Sequence, residues 1–501
     1  MTSSSEGAPP AGSRPRRPDT SHPPSPVPSH PPGPSEGNPF GSRPPYPTGP
    51  LPAGFPAAVP AGFPTPVPGG SPRTLRHLPA RPSAGLAPRF SACRPEPRRV
   101  VVTGLGALSS IGTGTGEFTA GLRAGRSGVS PITAFDTTGF AHANGCQVPD
   151  FDPHRLLRRL DPAEYGRAAQ FSAAAARMAV DDAGLTADDL RRVRCQISVG
   201  TTDGESYDLD RITETHLHGG ATAVTAQAAR RVPAARLGIA AARELGLTDV
   251  EVLTIGTACS AGNYSIGNGL DAIRQGDADF ALCGGADAFC RKTFAAFYRL
   301  GTIAPDCCRP FDTGRQGILT GEGAGMLLLE SLDSALARGA RIYSEVLGYG
   351  LNCDAHHPVA PQEESVARCL QLALDDAGVK HEEVDLISAH GTGTKANDVT
   401  ESRAVRRVYG DSPPRTISLK SMLGHTMGAA SALGAIACSL AITHGFIPPT
   451  INHRTTDPEC AVDCVPNQAV DADLRIVQNN GLAFGGNNAA VVLGRYEGRE
   501  L

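Results

Sequence analysis

The sequence lacks the features that mark several large classes of protein. It has 13 cysteines but no paired CxxC spacing and no histidines at zinc-finger intervals. These absences disfavour a disulfide framework or a structural metal and favour a reducing cytoplasm. No run of 18 apolar residues is present, so we predict no membrane span. The N-terminus has no apolar signal core, so secretion is not indicated.

Proline and charge are unevenly distributed along the chain. Of 43 prolines, 28 lie in the first 100 residues, which carry 11 arginines and four acidic residues. The remaining residues have a formal charge of −11, against −4 for the whole chain. A body of roughly 400 residues can bury a large core. Its acidity argues against nucleic acid as the main partner, whereas an acidic protein partner needs only a local basic patch.

Residues 1–97 are predicted to be disordered, because apolar residues are too sparse there to offset the entropy of ordering. The short repeats Pro52–Pro56 and Pro60–Pro64, both PAGFP, are typical of a polyproline-like tether. Three interpretations stay open: a dispensable extension, which we favour, a docking tail or linker, and a misassigned start codon.

From residue 98 onward, apolar strands alternate with amphipathic helices, which predicts an α/β architecture. The segments 179–190 and 373–384 resemble each other, and each precedes a short strand that ends in a Gly-Thr turn. This repeat predicts two related halves, 98–345 and 346–501. The strand candidates are Cys195–Val199, Val252–Ile255, Phe280–Cys283, Met326–Glu330, Asp385–Ala389, Thr416–Leu419 and Ala489–Leu493.

Cys259 lies in the segment Thr257–Gly262, TACSAG, just before a helix predicted over roughly Asn263–Gln275. At such a strand-to-helix elbow, free backbone N–H groups and the helix dipole favour a thiolate. Most single cysteines are small buried hydrophobic residues. The elbow nevertheless favours Cys259 as a nucleophile over Cys283 and Cys438, which lie in ordinary strand and helix segments.

His390 directly follows the strand candidate Asp385–Ala389 and begins the sequence HGTGT. The C-terminal end of a strand is where α/β sheets usually bind ligands. The hydroxyls of Thr392 and Thr394 are suited to hydrogen-bond a polar ligand arm. A loop histidine that faces solvent is the open alternative.

His425 and Lys420 lie in the sequence KSMLGH, after the strand candidate Thr416–Leu419. A lysine in this apolar setting needs an anionic partner, for which Glu401 is the candidate. A surface position for Lys420 is the alternative. Phe484 begins the sequence FGGN, whose glycines permit unusual dihedrals and whose backbone N–H groups are suited to an oxyanion hole.

Together, these segments resemble the β-ketoacyl synthase family, in its elongating branch with the thiolase fold. The blocks occur in the family's order, and VVVTGLG, RPFD at Arg309–Asp312 and GEGAG at Gly321–Gly325 also match. The resemblance covers about residues 98–497. The chain resembles β-ketoacyl-ACP synthase II, and its runs 391–398 and 457–466 look more like the ketosynthase α subunit of type II polyketide synthases.

The resemblance implies a thiolase-like α/β fold of five αβαβα layers, made from two duplicated halves, and an active dimer. It implies that Cys259 accepts an acyl chain from an acyl carrier protein. His390 and His425 would hold the malonyl thioester carbonyl and promote decarboxylation. The carbanion would then attack the acyl thioester, as expected of a β-ketoacyl-ACP synthase in type II polyketide or specialised fatty acid biosynthesis.

The remaining roles are also implied by the resemblance. Lys420, paired with Glu401, would orient and polarise the two histidines. The backbone N–H groups of Cys259 and Phe484 would form the oxyanion hole, and the Phe484 ring would gate the site. The pantetheine-binding residues would be Thr392 and Thr394. No metal or redox cofactor is needed, because the phosphopantetheine arm of the carrier protein holds the substrates.

Several alternatives and departures accompany this interpretation. The Cys–His–His pattern disfavours thiolases, which use a second cysteine, and initiating ketosynthases, which use an asparagine. A non-catalytic chain-length-factor-like partner subunit and a Cys/His hydrolase stay open. Ile318 and Leu482 replace aromatic residues of the family's gating loops, which affects loop dynamics and chain selectivity. We expect a cytoplasmic homodimer, or a heterodimer with a related ketosynthase-like subunit.

Overall fold

The computed structural model of the chain describes residues 97–498. The extension predicted to be disordered therefore lies outside the described residues, apart from Pro97. The described residues all belong to one compact unit.

The N-terminal half contains eight strands and ten helices among the described residues. The strands are β1 Val100–Ser109, β2 Gly112–Thr113, β3 Ser130–Pro131, β4 Asn144–Gly145, β5 Cys195–Gly200, β6 Val250–Ile255, β7 Phe280–Asp287 and β8 Gly323–Ser331. The helices are α1 Gly114–Arg123, α2 Pro153–Leu156, α3 Arg167–Asp182, α4 Ala187–Arg191, α5 Ser206–Gly219, α6 Ala226–Arg231, α7 Arg236–Leu245, α8 Ala261–Gln275, α9 Arg291–Arg299 and α10 Leu332–Ala337.

The C-terminal half contributes seven strands and four helices to the described part. The strands are β9 Ser344–Cys353, β10 Leu386–Ser388, β11 Arg415–Ile417, β12 Phe446–Ile447, β13 Val470–Asp471, β14 Ile476–Gly481 and β15 Asn487–Gly494. The helices are α11 Glu363–Ala377, α12 Lys395–Tyr409, α13 Lys420–Leu423 and α14 Ala430–His444.

The two halves have the same strand topology. In the first, β1 pairs antiparallel with β8 and β8 with β7, while β7, β5 and β6 run parallel. In the second, β9 pairs antiparallel with β15 and β15 with β14, while β14, β10 and β11 run parallel. Short pairing of β1 with β9, at Val101 and Val102, joins both halves into one sheet. The predicted duplication is therefore confirmed.

Helices cover both faces of each half-sheet and give five layers. The helices α8 and α14 form the central layer, since they contact strands of both halves. The outer layers are α3 with α7 on one side and α11 with α12 on the other. Two glycines of β1 allow the first outer layer to pack closely: a Cβ on Gly104 or Gly106 would lie 2.0 or 1.9 Å from a backbone oxygen of α3.

The strand predicted at Thr416–Leu419 is wrong at its C-terminal end. The strand is Arg415–Ile417, and Lys420 begins α13. The cause is Ser418, whose N–H donates to Thr450 Oγ1 and whose hydroxyl donates to the carbonyl of Gly391. These bonds take Ser418 out of the ladder and start a helical turn, as serine side chains commonly do.

One helical stretch within residues 97–498, Met427–His444, is long and apolar enough to cross a membrane by length and composition. Most of it is buried inside the protein. It contains α14, a core helix of the central layer, which explains why it is apolar on all sides.

Candidate active site

Cys259 lies where the sequence predicts an elbow. A single 3-10 turn, Ala258–Ser260, links the end of β6 to the start of α8. Ala258 has a φ of +55°, a left-handed conformation that is costly for a residue with a Cβ and that turns the chain sharply. Gly262 lets α8 approach α14, because a Cβ there would lie 2.5 Å from the backbone nitrogen of Ala432.

Burial opposes the effect that the elbow is expected to have on the pKa of Cys259. Burial raises the pKa of its thiol to about 12, against the opposing effects of the Lys420 charge and a backbone hydrogen bond from Phe484. The side chain is only 4% exposed, so desolvation of the thiolate outweighs these effects. Burial thus favours the thiol, in the direction opposite to the effect expected of the elbow.

His390 is held at the end of β10 by two buried charged residues. Its backbone N–H donates to Glu401 Oε1 at 2.8 Å, and its carbonyl accepts from Lys420 Nζ at 2.6 Å. Lys420 Nζ also lies 3.4 Å from the His390 Nδ1. Because an ammonium group only donates, Nδ1 is the acceptor and the ring proton of His390 lies on Nε2.

Lys420 and Glu401 act on His390 from different sides, not as a direct ion pair. No salt bridge joins them among the described residues. Glu401 instead accepts the backbone N–H groups of His390 and Gly391, each at 2.8 Å. Burial lowers the pKa of Lys420, and the charge of Glu401 opposes this shift. The predicted pairing of Lys420 with Glu401 is thus a charge interaction without a direct contact, and both side chains bond to the backbone of His390.

His425 is oriented by the chain on both sides of it. Its N–H donates to Leu319 O at 2.6 Å, and its carbonyl accepts from Gly321 N at 2.8 Å. The backbone N–H of Met427 donates to its Nδ1 at 3.1 Å. The ring proton of His425 is therefore on Nε2, the same tautomer as in His390.

The two imidazoles form a neutral pair. Their ring centroids are 5.4 Å apart and the rings are nearly perpendicular, at 82°. Burial, aided by the charge of Lys420, lowers the pKa of both His390 and His425 well below the usual value. Two neutral rings with N–H groups on Nε2 can donate hydrogen bonds to one anionic oxygen.

The two threonines lie together at the start of α12. Their hydroxyl oxygens are 2.9 Å apart, and Thr394 caps the helix by accepting from Asn397 N. Asp398 supports this loop, because its Oδ1 accepts the N–H of Gly393. The guanidinium of Arg315 lies between the carboxylates of Asp398 and Asp457, at 3.8 Å from the first and 2.6 Å from the second. The runs 391–398 and 457–466 are thus linked through Arg315.

One cavity of about 190 Å³ brings these side chains together. The predicted residues that line it are Cys259, His390, His425, Thr392, Thr394 and Phe484. Lys420 and Glu401 lie behind it, as described above. The Phe484 ring is 38% exposed and its centroid lies 5.3 Å from that of Phe297, so it covers part of the cavity wall. Ile318 and Leu482, the departures from the family's aromatic residues, also line the cavity.

Sequence reasoning missed two residues at the site. Phe297, on α9, lines the cavity and lies 6.5 Å from His425 by ring centroids. Asp287, at the end of β7, accepts the N–H of Gly428 in the turn after His425. The signal for Asp287 is an acidic residue at the end of β7, a strand that otherwise has only apolar residues and glycines, because a buried carboxylate needs polar partners.

This fold and this cavity define a class: thiolase-like proteins of the condensing type, in which a cysteine and two imidazoles meet between duplicated halves. The model of the β-ketoacyl synthase N-terminal domain matches residues 97–335, and that of the C-terminal domain matches residues 343–454. The chain belongs to the β-ketoacyl synthase family, a family of condensing acyltransferases. The predicted family and fold are confirmed.

Named relatives support this assignment along most of the chain. Nodulation protein E of Rhizobium meliloti (strain 1021) is 38% identical over 406 residues, covering 79% of this chain and 98% of the relative. The 3-oxoacyl-[acyl-carrier-protein] synthase 2 of Synechocystis is 37% identical over 413 residues, covering 80% of this chain and 99% of the relative.

Solved structures resemble the chain over the same region. The ishigamide ketosynthase/chain length factor is 64% identical, with a TM-score of 0.79, covering 80% of this chain and all of that one. A type II polyketide ketosynthase bound to the hexaketide, in complex with its acyl carrier protein, is 31% identical with a TM-score of 0.74 and similar coverage.

Proposed function

We propose that this chain is a β-ketoacyl-[acyl carrier protein] synthase that condenses malonyl-ACP, with loss of carbon dioxide, with an acyl chain held on Cys259. The observation that carries this proposal is the presence of Cys259, His390 and His425 on one cavity. Each alone has an ordinary explanation. Convergence of a buried thiol with two neutral N–H donors matches the needs of decarboxylative condensation.

The first step is transfer of the acyl group to the sulfur. Cys259 Sγ attacks the acyl thioester, its S–H proton ends on the departing carrier sulfur, and the carrier leaves as a free thiol. The raised pKa of Cys259 makes an acceptor for this proton necessary, and both imidazoles present an Nε2–H donor to the cavity, so the departing sulfur takes up the proton. The backbone N–H groups of Cys259 and Phe484 are suited to stabilise the tetrahedral oxyanion.

The second step forms the carbon–carbon bond. Loss of carbon dioxide from the malonyl thioester leaves negative charge on its thioester oxygen, which the Nε2–H groups of His390 and His425 stabilise. The carbanion attacks the acyl thioester, and Cys259 leaves as a thiolate that takes up a proton. Thr392, Thr394 and Phe484 line the cavity, which supports the assignment of the two threonines to the pantetheine arm and of the Phe484 ring to the gate. No metal or redox cofactor takes part in these steps.

We assign the chain to type II polyketide or specialised fatty acid biosynthesis, with an acyl carrier protein as partner. The 64% identity to the ishigamide ketosynthase/chain length factor supports the polyketide pathway. A dimer, with a second copy or a related subunit, is supported by β6, which ends the sheet and is only half-buried. A half-buried strand with unpaired backbone groups favours association.

The test uses purified protein with carrier-bound acyl and malonyl thioesters. We expect condensation with release of carbon dioxide, and loss of condensation in Cys259→Ala. Cys259→Gln is expected to retain decarboxylation of the malonyl thioester, because the histidine pair is intact. Absence of condensation in the wild type, with its partner subunit supplied, would refute the proposal.

The competing function is that of a non-catalytic partner, like a chain length factor, that shapes the acyl pocket of a catalytic mate. Such partners lack the nucleophilic cysteine, whereas Cys259 is present here with both histidines. If the wild type binds carrier protein but never forms an acyl adduct on Cys259, the partner function is correct.

A further inference from the structure

Asp287 is a fully buried carboxylate that the proposed mechanism does not use. It accepts the hydroxyl of Thr201 at 2.5 Å and the backbone N–H groups of Thr202 and Asp203, each at 2.9 Å. It also accepts the backbone N–H of Gly428 at 2.6 Å. Asp287 therefore joins the loop after β5 to the turn that precedes α14, and it does not itself line the cavity.

The turn held by Asp287 is strained and carries the group that orients His425. It comprises Met427–Ala429, and Met427 has a φ of +51°, a conformation unfavourable for a side chain of this size. In that conformation the N–H of Met427 donates to His425 Nδ1. Such strain persists only where the surrounding structure holds it.

Packing around Gly428 and its hydrogen bond to Asp287 hold this turn against the loop after β5. A Cβ on Gly428 would lie 2.5 Å from the Cα of Thr201, so the turn rests directly on the loop after β5. The hydrogen bond from Gly428 to Asp287 is the shortest of the backbone bonds that the carboxylate accepts. Burial and the charge of Asp203 raise the pKa of Asp287 to about 7, whereas the hydrogen bonds that it accepts favour the ionised form, in which the bond from Gly428 is strongest.

We propose that Asp287 is a positioning residue for His425: it holds the turn Met427–Ala429 so that the Met427 N–H fixes the His425 tautomer with its proton on Nε2. This proposal rests on the proposed function, in which His425 stabilises the charge formed during decarboxylation. The acyl transfer to Cys259 does not use the Nε2–H of His425, so it does not depend on the hydrogen bond from Met427 N–H to His425 Nδ1.

The test separates the two half-reactions in Asp287→Asn. Each of the two carboxylate oxygens of Asp287 accepts at least one backbone N–H. In an asparagine of the same size, the amide NH₂ therefore faces a backbone N–H donor in either orientation, and a hydrogen bond is lost. Acetyl-pantetheine reports acyl transfer to Cys259, and malonyl-pantetheine reports release of carbon dioxide. We expect carbon dioxide release to slow by about tenfold or more, with acyl transfer and the malonyl KM within about twofold of wild type.

Glu244→Gln is the matched control. Glu244 is also fully buried and accepts three backbone N–H groups, of Arg158, Arg159 and Leu160, but it does not line the cavity or contact the turn. We expect it to lower thermal stability without changing the ratio of the two rates. If Asp287→Asn slows both rates equally, or neither, Asp287 has a structural role only and the proposal is overturned.

Two further variants keep the outcome decisive. If Asp287→Asn does not fold, Gly428→Ala displaces the same turn from the loop after β5 and is expected to give the same selective loss. His425→Ala separates this proposal from the proposed function. If His425→Ala still releases carbon dioxide at the wild-type rate, the proposed function fails. If His425→Ala has lost this release but Asp287→Asn keeps the wild-type rate, only the role of Asp287 fails.

Discussion

Replacing Glu401 with glutamine removes the charge behind the catalytic cavity while keeping the side-chain size. The Glu401 carboxylate is fully buried and accepts the N–H groups of His390 and Gly391. In Glu401→Gln, the amide nitrogen faces one of these donors and leaves it without a partner. Loss of a hydrogen bond to a charged acceptor costs about 1.5–3 kcal/mol.

The substitution also acts on Lys420, whose pKa burial lowers and Glu401 raises. Without Glu401, the pKa of Lys420 in the folded protein falls further below its unfolded value. A lysine whose pKa is lower in the folded protein than in the unfolded chain destabilises the fold at any pH where the unfolded chain holds that lysine protonated. This penalty disappears as the pH rises to the pKa of lysine in the unfolded chain, about 10.4. The destabilisation should therefore be greater at neutral pH than at pH near 10.

The measurement is thermal unfolding at pH about 7 and about 10, together with the condensation rate. For a body of roughly 400 residues, 1 kcal/mol corresponds to about 1 °C in Tm, so we expect a decrease of about 2–4 °C at neutral pH. Because His390 loses its anchor, the condensation rate should fall by about tenfold or more.

The control is Glu330→Gln, at a fully buried carboxylate bonded to Thr103, Ser334 and Arg338. It should lower the Tm by a similar amount at both pH values, with the condensation rate unchanged. An equal Tm difference at both pH values in Glu401→Gln, or a wild-type rate, would refute the reasoning.

Three other substitutions or conditions test the electrostatics and the gate. Alkylation of Cys259 by iodoacetamide should accelerate about tenfold per pH unit from pH about 7 to 9, because its pKa is raised to about 12; a plateau in this range contradicts that pKa. Lys420→Met removes a charge that lowers the pKa of His390, so the acid limb of the rate profile should move to higher pH; an unchanged or lower limb contradicts this. Phe484→Ala removes the ring packed on Phe297 and should speed Cys259 alkylation at fixed pH; slower alkylation would show that the ring does not cover the cavity.

The sequence predicts the parts of the site that depend on local structure. The elbow at Cys259 follows from a strand, a run of small residues and a helix, and all three lie where they are expected. The duplication is visible because α3 and α11 end in the same DDAG sequence, with Gly184 and Gly378 both at positive φ. These features depend on neighbours in the chain, which a single sequence displays.

The parts that the sequence does not predict depend on contacts between distant segments. Glu401 binds the backbone of His390 and not the side chain of Lys420, which only the packing of α12 against β10 decides. The role of Asp287 arises from Gly428, 141 residues away. The raised pKa of Cys259 depends on its burial in the completed cavity, a property of both halves together.

The central claim is that Cys259 carries the growing chain between the two half-reactions, and the mass of the Cys259 peptide tests it most directly. We expect incubation with an acyl-carrier thioester to add the mass of the acyl group to Cys259, and later addition of malonyl-carrier thioester to remove it as carbon dioxide is released. An acyl group that never appears on Cys259, or that persists while condensed product accumulates, would contradict the account.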